Sequence, residues 1–247
     1  MMLTDKHAIV YGAAGPLGSA VAKTFAAEGA TVHLAGRTAE RLERVADEIR
    51  AAGGTAEAAV VDALDEKSVD DHAAAVGRID VSFNLIGHQQ FFGTPLVDMS
   101  LADFEQPVTT MVRTFYLTSR AAARQMIRQG SGVILTFGGY GDPAANLGGF
   151  QMGFGAVEAL RRSLALELGQ HGIRVLTLQT NGIPEALPAD FPEKAAKAIA
   201  KHTADGTMLK RAATLSDVGA VAAFAASDLA RSLTGTALNL TAGAVVN

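Results

Sequence analysis

The sequence predicts an α/β fold, a doubly wound parallel sheet of seven strands with helices on both faces. Three observations predict it. Short β-rich apolar runs alternate with longer helical patterns from the N-terminus onwards. The first strand passes through a glycine-rich turn directly into a helix. No internal repeat, low-complexity tract or splitting linker interrupts the alternation, so residues 1–247 read as one domain.

The elements follow in order. His7–Tyr11 reads as a strand, and Pro16–Glu28 as a helix that Gly29 is placed to end. Thr31–Ala35 is the second strand. Thr38–Ala52 is a charged, Ala-rich surface helix closed by Gly53 and Gly54. Ala58–Val61, Val81–Ile86, Val133–Phe137, Ile173–Leu178 and Ala237–Leu240 complete the strands, with long helical stretches at Ser100–Gln129 and Phe150–Gly169. The least regular region is 182–209, with Pro184, Pro188 and Pro192 ahead of a Lys-rich helix. An excursion of that length suits either a lid over a binding cleft or a plain surface insertion.

Composition narrows the function. Hydrophobic residues make up 49% of the chain but aromatics only 6%, with no Trp, so Ala, Val, Leu and Ile must build the core and helices can lie close on the sheet. A net charge of −4 gives no general attraction to nucleic acid or to an anionic membrane. With no Cys, disulfides, thiolate metal sites and Cys nucleophiles are excluded. His33, His72, His171 and His202 are scattered with no metal-ligand spacing, so no metal is expected. Met1–Lys6 lacks the basic-then-apolar pattern of a signal peptide. The uncharged stretch His7–Ala22 is broken by Gly and Pro and too short to span a bilayer, so a cytoplasmic protein is expected.

After the first strand comes Gly12-Ala13-Ala14-Gly15-Pro16-Leu17-Gly18. Glycines let such a turn bring backbone close to a ligand, and the helix start offers free N–H groups and positive dipole to a pyrophosphate. At the end of the second strand stands Gly36-Arg37-Thr38. An acid there would bind the ribose hydroxyls of NAD, whereas arginine without the acid suits the additional phosphate of NADP. NADP(H) is therefore favoured over NAD(H).

These features resemble the short-chain dehydrogenase/reductase family, whose members have the Rossmann fold. In its Gly-x-x-x-Gly-x-Gly turn, Gly12 and Gly18 match the outer glycines, Pro16 replaces the middle one and Tyr11 replaces the usual Thr. Proline is comfortable in the first turn of a helix but removes one donor, while the Leu17 amide remains. Asp62-Ala63-Leu64-Asp65 is similar to the motif whose first Asp meets the adenine. Asn84-Leu85-Ile86-Gly87 resembles the Asn-Asn-Ala-Gly segment, Val157–Leu168 the helix after the catalytic Tyr-x-x-x-Lys, and Leu233–Leu240 the last strand. The resemblance implies cofactor contacts from Gly12, Gly15, Leu17, Gly18, Arg37, Asp62, Ala63, Asn84 and Gly87.

The departures fall where the family places its chemistry. Counting along the motifs, Phe150 stands at the Tyr position, Phe154 at the Lys, Gly139 at the Ser and Thr110 at the Asn, and the usual Pro-Gly falls near Thr180-Asn181. Phenylalanine has no proton to give and no cation to depress a neighbour's pKa. An i,i+4 Phe pair makes a cleft apolar, which implies a small-molecule ligand of apolar character. Tyr140 and His88, with Asp142, Gln89 and Gln90 nearby, follow strand ends and are possible substitutes for the lost acid. Three readings stay open: an atypical NADPH-dependent oxidoreductase, a catalytically silent nucleotide-binding sensor or partner subunit, and a non-redox dehydratase or isomerase. Family members commonly pair through the two long helices, so the resemblance also implies a homodimer or homotetramer, with Ala121-Ala122-Ala123 small enough either for close packing there or to face the sheet.

Overall fold

A computed structural model describes residues 1–87, 93–139, 145–188 and 190–246. Each apolar run of the sequence becomes a strand of one parallel sheet. The elements are β1 (His7–Tyr11), α1 (Pro16–Ala27), β2 (Thr31–Gly36), α2 (Ala39–Ala51), β3 (Thr55–Val60), α3 (Glu66–Val76) and β4 (Val81–Asn84). They continue with α4 (Leu101–Gln129), β5 (Gly132–Gly139), α5 (Gly149–Leu168), β6 (Ile173–Thr180), α6 (Glu193–Asp205), α7 (Leu215–Ala226) and β7 (Ala237–Asn239). The strand order is β3-β2-β1-β4-β5-β6-β7. The chain therefore reverses its direction of travel between β1 and β4, the switch point at which doubly wound sheets open a crevice beyond the carboxyl ends of their strands.

Alternate residues of each strand feed two cores. Ala8 and Val10 of β1 join Val21 and Phe25 of α1 and Val218 and Ala222 of α7 on one face. Ile9 and Tyr11 join Val69 of α3, Phe115 and Ala122 of α4 and Val157 of α5 on the other. Interior strands buried on both faces leave no polar alternation, and that is why they read as continuous apolar runs.

Several boundaries differ from the sequence expectation, each for a local reason. The fourth strand ends at Asn84 rather than Ile86, because the Asn84 Oδ1 takes the Ile86 N–H at 3.1 Å and turns the chain out of the sheet. The fifth and sixth strands run two residues further at their carboxyl ends than expected, held in register through Gly139 opposite Thr180. The third begins at Thr55, paired with Thr31, although Glu57 interrupts its apolar pattern; it is an edge strand with one side free for polar residues. A helix that the sequence reading did not name, α3, starts at Asp65, whose side chain accepts from the Lys67 and Ser68 amides.

The long helices α4 and α5 lie in direct contact. Ser100 caps α4 by accepting from the Asp103 N–H at 3.1 Å, and Gly130 ends it in the left-handed conformation. A Cβ on Gly149 would sit 1.9 Å from the Phe104 carbonyl oxygen, and one on Gly153 would sit 2.6 Å from the Met111 sulfur. The absent side chains set how closely the two helices approach. Among the described residues, no helix is long and apolar enough to cross a membrane.

Candidate functional site

A cleft of about 1350 Å³ runs along the carboxyl ends of the strands. Its first wall is the turn between β1 and α1. Gly12 has a φ of +76°, and a Cβ there would stand 2.4 Å from the Leu85 carbonyl oxygen. A Cβ on Gly18 would meet the Gly12 carbonyl oxygen at 2.2 Å. Both positions require glycine so that the turn can fold tightly against the end of β4 and into the helix. Gly15, the N-cap of α1, supplies no capping side chain, and no acid lies in the first turn. The positive end of the helix thus faces the cleft without a competing anion. Leu17 lines the cleft beside it, and Gly87, across the crevice, has open space where a side chain would be.

The end of β2 forms one extremity. Arg37 lines the cleft as expected, and so does Arg41, four residues on in the first turn of α2. The sequence reading missed Arg41, although the i,i+4 spacing from Arg37 was a usable signal. Asp62 and Ala63 line the same extremity, and the Asp62 carboxylate accepts from the Leu64 N–H at 3.0 Å.

Asn84 also lines the cleft, but its side chain is committed to the scaffold. Its amide nitrogen donates to Thr114 at 3.2 Å and to Thr118 at 3.3 Å on α4, while its oxygen holds the Ile86 amide. The residue ties β4 to the long helix and fixes the floor of the crevice.

The opposite extremity lies beyond β5 and β6. Phe150 and Phe154 both line it, one helical turn apart on α5, with ring centroids 4.6 Å apart and planes at 75°. Phe137, Ile183 and Leu187 extend this apolar wall, so residues of the 182–209 excursion do border the cleft. Thr110 lines the cleft from α4, near Leu64, and accepts from the Gln106 amide at 3.3 Å, while the Gln106 Oε1 is buried with no partner among the described residues. Gly139 closes β5 beside Thr180. Tyr140, His88, Gln89, Gln90 and Asp142 lie outside the described residues. Among the described lining residues, the titratable ones are Tyr11, Arg37, Arg41 and Asp62, all contributed by β1, β2, α2 and the segment after β3.

His7 of β1 and His33 of β2 meet at the sheet, and His72 of α3 lies close enough for its imidazole to feel His33. His7 and His33 stack, with Nδ1 and Nε2 3.1 Å apart, and His33 Nδ1 stands 3.2 Å from Glu57. His72 meets the edge of the Tyr11 ring at 6.2 Å between centroids. Burial, and then the nearby His33, pushes the His72 imidazole down to about 4. Burial and the charge of Asp70 raise the Tyr11 phenol. Among the described residues, no group of three or more His, Asp or Glu side chains has the arrangement of a metal site.

A seven-stranded parallel sheet with a glycine turn at its switch point defines the class of Rossmann-type dinucleotide folds. Residues 12–244 match a family model described as Enoyl-(Acyl carrier protein) reductase. The 7alpha-hydroxysteroid dehydrogenase of Escherichia coli (strain K12) is 29% identical over 252 residues, spanning 99% of this chain and 96% of that protein. An NAD+-bound xylitol dehydrogenase is similar with a TM-score of 0.88 and 25% identity, over 98% of this chain and 100% of its own. A protein of Beutenbergia cavernae proposed to be an NAD(P)-dependent gluconate 5-dehydrogenase, solved with NADP at low occupancy, has a TM-score of 0.85 and 28% identity, over 97% and 96%. The chain belongs to the short-chain dehydrogenase/reductase family of oxidoreductases.

Proposed function

We propose that this protein binds NADP(H) and acts as an atypical oxidoreductase of its family, with Thr110, Gly139, Phe150 and Phe154 at the positions where relatives carry the catalytic Asn, Ser, Tyr and Lys. The observation that carries this reading is the polarity of the cleft. Its cationic side chains, Arg37 and Arg41, stand at the β2 end, and the described residues at the other end are aromatic, aliphatic or neutral.

The residues present fit a dinucleotide. The Gly12–Gly18 turn leaves the start of α1 uncapped and its backbone close to the cleft, so N–H groups and helix dipole meet a pyrophosphate. Gly36 removes the acid that would repel a phosphate on the ribose, and Arg37 and Arg41 supply charge-assisted donors for it. Asp62 and Ala63 border the adenine end. When bound, the nicotinamide supplies a hydride or accepts one. Phe150 and Phe154 exclude water from the reacting end and contribute neither a proton nor a cation. The relatives described with bound cofactor carry NAD+ in one case and NADP in the other, so the choice in this chain falls to its own residues at the β2 end.

Calorimetric titration with NADPH and NADH tests the reading. NADPH is expected to bind about 10-fold tighter or better, the scale of one charge-assisted hydrogen bond. Equal affinities would remove the role given to Arg37 and Arg41, and binding of neither would leave the non-redox reading in its place.

A further inference from the structure

Resting on the reading of this cleft as the ligand site, we infer that Glu185 is a positioning residue for its apolar end. By holding the first amide of α7, it fixes the stretch after β6 as a wall that encloses an apolar ligand. The chain leaves β6 at Thr180, and Gly182, at a φ of +108°, turns it across the cleft. Every residue from Gly182 to Pro188 lines the cleft except Glu185. The Glu185 side chain reaches away from it to α7, where Oε2 accepts from the Leu215 N–H at 2.8 Å.

The Leu215 amide is available because of how α7 begins. Thr214 Oγ1 accepts from the Asp217 N–H, and the Asp217 carboxylate accepts from the Thr214 N–H, each at 3.0 Å. This capping box leaves the Leu215 N–H, at the first helical position, without an intrahelical acceptor. A carboxylate there gains a charge-assisted bond and the favourable end of the helix dipole. Arg211 pairs with Asp217 at 2.7 Å and offsets the second carboxylate at this helix start. Few other contacts hold the stretch. Ile183 packs against the core, but no residue of the Pro184–Ala186 turn or of α6 is buried. Among the described residues, the other hydrogen bonds from Gly182 to the end of α6 close within the stretch or on the turn that follows it. Ile199 and Thr203 of α6 nonetheless line the cleft, so the Glu185 bond ties this wall to the body of the fold.

The test measures the Kd of the neutral apolar fluorophore prodan and, separately, of NADPH, by fluorescence titration of the whole chain and four variants. Glu185→Ala removes the acceptor. Leu215→Pro removes the donor at a helix position that accepts proline. Glu185→Gln keeps an acceptor oxygen, and the fourth variant combines Glu185→Ala with Leu215→Pro. Each of the first two is expected to raise the prodan Kd about 10-fold, the lower end for a hydrogen bond to a charged group. The combination is expected to stay within about 2-fold of either single variant, because both remove the same bond. Glu185→Gln is expected to stay within about 3-fold of the unaltered protein. The NADPH Kd is expected to change less than about 2-fold throughout, whereas general loosening of the fold would weaken both ligands. Prodan affinity unchanged by Glu185→Ala, losses that add in the combined variant, an equal loss of NADPH affinity, or no prodan binding by the unaltered protein overturns the inference and leaves the NADP(H) reading standing. Failure of NADPH to bind the unaltered protein overturns that reading, and the prodan series then decides the role of Glu185 alone.

Discussion

Three glycines on α5 make the contact between the long helices testable, because the same substitution meets three different surroundings. An alanine methyl at position 149 would lie 1.9 Å from the Phe104 carbonyl oxygen, 3.0 Å from its carbon and 3.1 Å from Val108 Cγ2. The nearest obstacle is helix backbone, which cannot rotate aside. Restoring an ordinary carbon–oxygen separation moves the start of α5 by roughly 1.3 Å, a displacement of the kind that costs about 1–3 kcal/mol in packed interiors. At position 153 the obstacle is the Met111 sulfur at 2.6 Å, the far end of a flexible side chain, so Gly153→Ala is expected to cost less. At position 155 nothing lies within 4 Å, and Gly155→Ala is expected to stabilise the helix by about 0.5–1 kcal/mol through lost unfolded-state freedom. Denaturant titration of the three variants should therefore place Gly149→Ala about 2–4 kcal/mol below Gly155→Ala, a separation of about 5–15 °C in Tm for a chain of this size. Because Gly149 adjoins Phe150, the same displacement should weaken ligand binding at the aromatic end. Equal stability of the 149 and 155 variants would refute the close approach of α4 and α5 and, with it, the placement of the phenylalanine pair.

Other expectations concern charge and chemistry. The His72 imidazole, pushed down to about 4 in the folded protein, stays neutral where the unfolded chain takes up a proton. Stability should fall as pH drops from about 6.5 towards 4, and His72→Gln should recover about 2 kcal/mol at pH 4.5 relative to its effect at pH 7; a pH-independent effect would contradict the buried neutral state. Arg37→Ala and Arg41→Ala should each raise the NADPH Kd about 10-fold and leave the NADH Kd within about 2-fold, with the difference shrinking in high salt. Combining Gly139→Ser, Phe150→Tyr and Phe154→Lys should raise carbonyl reduction about 10²- to 10⁴-fold, the range of a restored general acid. A folded triple variant with no gain would show that these positions do not share the relatives' geometry.

The sequence by itself determined the fold class, the seven strands, the glycine turn and the family resemblance, because each is written in neighbouring residues. A buried parallel strand must be a short apolar run, and a turn that carries backbone to a helix start must use glycine where no Cβ fits, as at Gly12 and Gly18. That Phe150 and Phe154 fall one helical turn apart was equally legible. Other features depended on elements far apart in the chain. His7 and His33 are 26 residues apart in sequence, yet parallel pairing of β1 with β2 stacks them. The commitment of Asn84 to Thr114 and Thr118, at separations of 30 and 34, appears only once α4 lies on the sheet. Only the tertiary structure decided these, because strand register and helix docking are fixed by burial of the two cores, a property of the whole chain that no local window contains.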